Sequence, residues 1–157
     1  MGTLANDTET QPPKPVADRP AREVWRRWTP KLVADGWTPV SDYFLESYRR
    51  LGLTTSEAML VIQILRHKWD EKPPRPSFKT LALRMGITDT AVRGHARELE
   101  RKGCIRRIKR IGKSNQFDFG PLFDSLERLR DQDATKKAQV EHAKEVLREH
   151  YKAAVPS

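Results

Sequence analysis

Residues 76–103, PSFKTLALRMGITDTAVRGHARELERKG, followed by residues 104–119, CIRRIKRIGKSNQFDF, decide how this chain folds. Ser77 is placed to cap a helix in which Leu81, Ala82 and Met85 share one face, and Gly86 stops it. Thr88 can cap a second helix, whose Val92, Ala96 and Leu99 recur at i, i+4 and i+7 as a buried stripe. That stripe turns Thr90, Arg93 and Arg97 outward. Gly103 closes the second helix. Residues 104–119 then read as two β-rich runs joined by Gly112-Lys113-Ser114-Asn115, where Gly and Asn tolerate positive φ. Helix, tight turn, helix and basic hairpin predict a winged helix-turn-helix.

Charge leads to the same place independently. Residues 93–113 hold nine Lys or Arg (93, 97, 101, 102, 106, 107, 109, 110, 113) against Glu98 and Glu100, so +7 of the chain's net +9 lies there. Residues 1–92 carry +3 and residues 114–157 carry −1. A polyanion would therefore be held by the second helix and the hairpin.

Outward from this stretch, residues 37–52, WTPVSDYFLESYRRLG, predict a helix capped by Ser41 and ended by Gly52, with Phe44, Leu45, Tyr48 and Leu51 along one side. A further helix starts at Thr55-Ser56-Glu57. Ala58, Val61, Ile62, Leu65 and Trp69 give it one apolar face, and Leu60 and Ile64 a second, which predicts a core helix. Asp70–Pro76 cannot extend it, because its prolines remove donors and favour extended backbone. Beyond the hairpin, Gly120-Pro121 opens a helix with Leu122, Phe123, Leu126 and Leu129 on its apolar side. Asp131-Gln132-Asp133 thins that stripe, and a long or broken helix continues with Val140, Ala143, Leu147 and Ala154 near heptad spacing. The fold class expected is mainly α with a small β-hairpin.

Three stretches add a likeness to known proteins. ITDTAVRGHARELERKGCIRR resembles the recognition helix and first wing strand of bacterial winged helix-turn-helix DNA-binding proteins. RIGKSNQFDFGPLFDSLERL resembles the wing tip and following helix of one subgroup, found in replication initiators and regulators of plasmids, phages and integrative elements. LGLTTSEAMLVIQILRHKW is similar to the first core helix of the same domains. The resemblance spans roughly residues 40–130 and implies DNA binding, but the fold serves several processes.

Four segments follow: residues 1–21 as a disordered, proline-rich arm, 22–39 as a Trp/Arg-rich linker, 40–130 as the winged domain, and 131–157 as a C-terminal helix or tail. Trp25 and Trp28, alternating with Arg22, Arg26 and Arg27, are compatible with DNA backbone contact, a protein partner, or packing on the domain's own surface. The C-terminal helix can pair two copies or stand solvated.

Chemistry beyond binding is not legible. A single cysteine, Cys104, excludes an internal disulfide and a multi-cysteine zinc site and fits a small core hydrophobe in a reducing bacterial cytoplasm, near the nucleoid. His67 and His95 lack neighbours at ligand spacing. Gly112-Lys113-Ser114 lacks the setting of a phosphate-binding loop, no nucleophile-base pair stands out, and no apolar run nears the ~18 residues of a membrane span. No cofactor and no catalysis are expected.

In a winged-helix arrangement the second helix enters the major groove by its N-terminus. Asp89, Thr90 and Arg93 then lie nearest the base edges, with Arg93 suited to a bidentate contact on guanine. Asp89 is either a dipole partner of its helix or a reader of cytosine's amino group. Ser77 and Lys79 would hold a phosphate at the first helix's N-terminus. Arg97 would touch phosphate, while Arg107, Lys109, Arg110 and Lys113, with Asn115 beside them, would track the backbone or reach the minor groove. The expected function is a sequence-specific double-stranded DNA-binding protein, regulating transcription or initiating replication of a mobile element. The alternative is a winged-helix adaptor that docks proteins without reading DNA.

Overall fold

A computed structural model describes residues 27–68 and 73–155, so the 1–21 arm, Trp25 and Trp69 lie outside the described residues. The chain forms two units, residues 1–37 and 38–157. In the first, Pro30–Ala34 makes a short helix, α1, with Thr29 Oγ1 accepting from Leu32 N–H at 3.4 Å. Trp28 there is 63% exposed.

The second unit runs α2 (Asp42–Ser47), α3 (Thr55–Leu65), α4 (Phe78–Met85), α5 (Asp89–Arg101), β1 (Arg106–Ile108), β2 (Gln116–Asp118) and α6 (Gly120–Ala154). Helix α2 is shorter than its apolar spacing predicts. It ends at Ser47, and residues 48–52 make a turn in which Leu53 N–H reaches back to the Tyr48 carbonyl. Leu45 consequently faces water and only Phe44 of the expected stripe is buried, with Tyr48 and Leu51 partly covered.

Helix α3 is the centre of the core: Leu60, Val61 and Ile64 are wholly buried, as a helix apolar on two faces requires. A capping box starts it, in which Glu57 N–H donates to Thr54 Oγ1 at 3.2 Å and Thr54 N–H donates to Glu57 Oε2 at 3.0 Å. Helices α4 and α5 pack on α3 and on each other through Leu81, Ala82, Val92, Ala96 and Leu99. Between them Gly86 adopts φ 67°, a left-handed cap that lets α5 begin only three residues after α4 stops.

The hairpin pairs Arg106 with Asp118, Arg107 with Phe117 and Ile108 with Gln116. Its strands have three residues each, so the connection spans residues 109–115 and not only the predicted four-residue turn. Pairing stops where core support stops: Ile105 and Phe117 are buried, whereas Ile108 is already exposed. Cys104 is buried beneath the start of the wing, and burial pushes its thiol above the ordinary cysteine range.

Helix α6 is unbroken for 35 residues, about 52 Å at 1.5 Å per residue. Its first half packs on the core through Leu122, with Leu126 partly covered, and Asp133 then fastens it to α2 and the turn after it. Asp133 accepts from Tyr43 Oη at 2.6 Å and takes both Arg50 guanidinium nitrogens at 2.7 and 2.8 Å. Arg50, then Tyr43, hold the Asp133 carboxyl well below the usual carboxylate range. Past this clasp, residues 134–155 are exposed throughout.

Candidate nucleic-acid interface

The outer face of α5 follows from its inner one. With Val92, Ala96 and Leu99 fully buried, 100° per residue leaves Thr90, Arg93 and Arg97 in water, and all three are exposed. Thr88 Oγ1 accepts from Ala91 N–H at 3.1 Å and closes the helix start, so Asp89 is free to sit in the first turn at the positive dipole end.

Three elements enclose a cleft of about 490 Å³, lined by Ser77 and Lys79 of α4's start, Asp89 and Arg93 of α5, and Gly112 to Asn115 of the wing. Its floor is aromatic. Phe78 meets Phe117 edge-on at 6.2 Å between centroids, and the Arg93 guanidinium lies 5.0 Å above the Phe78 ring. Phe117 N–H also donates to the Pro74 carbonyl at 2.9 Å, which anchors the wing to the chain entering α4. Arg93 is thereby held by its stacking partner, with its N–H edge free of any carboxylate among the described residues.

Six of the eleven expected site residues meet in this cleft: Ser77, Lys79, Asp89, Arg93, Lys113 and Asn115. Ser77 is partly committed, since its Oγ accepts from Thr80 N–H at 3.1 Å and lies 2.9 Å from Thr80 Oγ1. An anion there would meet the helix's free N–H groups and Lys79 more readily than this hydroxyl. Thr90, Arg97 and Lys109 lie outside the cleft on exposed surface. Arg110 donates Nε–H to the Ser114 carbonyl at 2.8 Å and braces the wing tip.

Arg107, expected along the backbone, is engaged inside the fold. Its guanidinium pairs with Glu100 at 2.7 Å, its side chain is only 16% exposed, and Glu100 Oε1 also accepts its backbone N–H at 3.3 Å. Arg107 therefore bolts the wing to α5, and this contact holds Glu100 below the usual carboxylate range.

The same holds for much of the basic run. Arg101 pairs with Glu98, Lys102 with Glu57 and Arg106 with Asp118, at 2.7, 2.6 and 2.7 Å. Four of the nine cations counted in residues 93–113 are thus neutralised within the fold. Arg93, Arg97, Lys109, Arg110 and Lys113 have no carboxylate at ion-pair distance among the described residues, and Lys79 joins them from α4. The positive field is narrower than the sequence suggests, and it is concentrated on the cleft and the wing.

Sequence reasoning passed over Phe78. Its signal was present, since Phe78, Ala82 and Met85 stand at i, i+4 and i+7. Among the described residues, no group of three or more His, Cys, Asp or Glu is placed to hold a metal ion, and no helix is long and apolar enough to cross a membrane.

Comparison with known proteins gives a consistent result. Residues 40–138 match the DnaD N-terminal domain family. No curated protein is matched. Among solved structures, the crystal structure of the N-terminal domain of DnaD protein from Geobacillus kaustophilus HTA426 superposes with a TM-score of 0.56. It is 23% identical, and the alignment covers 69% of this chain and 93% of that one, a likeness of fold. Because the family match spans well over half of the sequence, this chain belongs to the DnaD N-terminal domain family.

Proposed function

We propose that the chain is a replication-related, double-stranded DNA-binding domain of bacterial type, with no catalytic step of its own. The observation that carries this reading is the cleft. It gathers the free N–H groups of α4, the stacked Arg93 and the wing's Lys113 on one face, and that face keeps its cations while others nearby are neutralised. In this reading α5 enters the major groove, Arg93 reads guanine, and Lys79, Arg97, Lys109 and Lys113 hold phosphates. Replication initiation fits the family better than transcription regulation. Service to a plasmid, phage or integrative element rests on the sequence likeness of residues 110–129.

Reading and holding should separate. Arg93→Ala is expected to cost about 1 to 3 kcal/mol on a duplex selected from a random pool and little on random duplex. Lys113→Ala should weaken both alike. Fluorescence anisotropy on the two duplexes measures this, and equal losses for Arg93→Ala would remove its base-reading role.

A second copy is the partner best supported. The heptad positions that seat α6 on its own domain, Leu122, Leu126, Leu129 and Asp133, continue in register as Val140, Ala143, Leu147 and Ala154 beyond it, where they are exposed. One winged helix reads only a short half-site, so two copies joined along this seam would gain specificity through effective concentration. Truncation after Ala138 keeps the Asp133 clasp. It should leave single-site binding intact and abolish cooperative binding to a two-site duplex. Retained cooperativity would shift the coupling to the segment around Trp25 and Trp28.

A further inference from the structure

At the tip of the wing stands an isoleucine that touches nothing. Ile111 is 102% exposed, whereas the next most exposed large apolar side chain among the described residues, Leu83, is 76% exposed. Single exposed apolar residues are ordinary on protein surfaces. Ile111 differs in its surroundings. It sits in a loop closed by the Arg110 Nε–H bond to the Ser114 carbonyl at 2.8 Å and reversed by Gly112 at φ 64°. Exposed Lys109 and Lys113 flank it, and neither has a carboxylate partner among the described residues. Gly112 and Lys113 already line the cleft. A β-branched side chain is thus presented on a braced support within a ring of cations, at the edge of the face that would meet a polyanion.

Charge complementarity chooses the occupant. A protein patch complementary to this tip would need carboxylates around an apolar socket, whereas duplex DNA offers phosphates on both sides of a minor groove floored by stacked bases. Apolar side chains carried into that groove part a base step and kink the helix. We propose that Ile111 is a wedge: the wing's lysines grip the two phosphate strands and Ile111 enters the minor groove between them, unstacking one step and bending the duplex. The inference rests on the duplex-binding reading above. It adds an activity, DNA distortion, and a source of specificity, because flexible pyrimidine–purine steps open more easily than others.

The test uses the full chain and a duplex it selects from a random pool, labelled at both ends for resonance energy transfer. Wild-type protein should shorten the end-to-end distance. Ile111→Ala should leave the duplex nearly straight and weaken binding about 10- to 150-fold, the worth of burying an isoleucine side chain. Ile111→Leu should restore both. Ile111→Lys separates wedge from charge: it should steepen the salt dependence by about one unit of slope and still fail to bend. Because the side chain makes no contact in the fold, these variants should melt like wild type. Equal bending by wild type and Ile111→Ala would overturn the wedge while leaving DNA binding in place. Unchanged bending with loss of self-association would overturn it in favour of a contact between copies. Failure of the wild-type chain to bind any duplex at low salt would remove the DNA reading and the wedge together.

Discussion

Raising monovalent salt from about 50 to about 200 mM should weaken duplex binding about 250- to 1,000-fold, a slope of log K on log salt near −4 to −5. The value follows from which cations the fold leaves free. Lys79, Arg93, Arg97, Lys109 and Lys113 face outward without carboxylate partners among the described residues, and each phosphate neutralised releases close to one counterion. Composition alone would put all nine basic residues of the 93–113 run on the DNA and give a slope near −8. The difference is the set Arg101, Lys102, Arg106 and Arg107, each bound to a carboxylate within 2.7 Å, together with Arg110, whose Nε–H is spent on the Ser114 carbonyl, while Lys79 is added from α4. Titrations by anisotropy at four salt concentrations distinguish the two. A slope shallower than about −2 would remove the proposed footprint altogether, and one near −8 would mean that the ion pairs open on binding. Arg106→Ala gives an internal control: its guanidinium is tied to Asp118, so the slope should hardly change.

The elements legible in the sequence were those whose signals are local and agree with one another. Ser77, Thr88 and Gly86 carry capping chemistry that acts within four residues, and Val92, Ala96 and Leu99 repeat with the helical period, so α4, the turn and α5 fall where expected. The apolar spacing runs past the end of α2 at Ser47 because Leu51 keeps it, yet the chain reverses early and buries Leu53. That reversal is a tertiary demand with no local mark. The same division holds at the candidate site. Cationic residues on α5 and the wing could be counted, but their partners could not: Arg107 meets Glu100 only once the wing folds back on α5, and Lys102 reaches Glu57 across 45 positions of chain. Asp133 reads as a break in a stripe, and the fold turns it into the clasp that fixes α6 to Tyr43 and Arg50. The cleft's aromatic floor joins Phe78 to Phe117, which are distant in sequence and brought together by the Pro74 carbonyl on the Phe117 N–H.

Lys102→Met should destabilise the domain by about 2 to 4 kcal/mol, the largest loss expected from changing any of its paired cations. Glu57 is the reason. Its side chain is 4% exposed, and Oε2 accepts both the Thr54 N–H at 3.0 Å and Lys102 Nζ at 2.6 Å. Helix α3's capping box satisfies one lone pair and its dipole favours a negative charge at this end, but neither supplies a counterion. Lys102 does, from the C-terminal end of α5, where a cation is favoured in turn. Removing the ammonium leaves a carboxylate in a dry site, and its lost pairing exceeds what surface pairs such as Arg101 with Glu98 contribute, about 1 kcal/mol or less. The Lys102 side chain keeps 18% exposure, so some of the loss returns through water, which places the expected value below that of a fully enclosed pair. Urea unfolding followed by circular dichroism measures it. The double variant Glu57→Gln, Lys102→Met should be more stable than Lys102→Met alone, because the glutamine can still accept the Thr54 N–H and carries no charge to strand. A loss under about 0.5 kcal/mol for Lys102→Met, or strict additivity in the double variant, would show that Glu57 is solvated and that α5 is oriented on α3 by apolar packing alone.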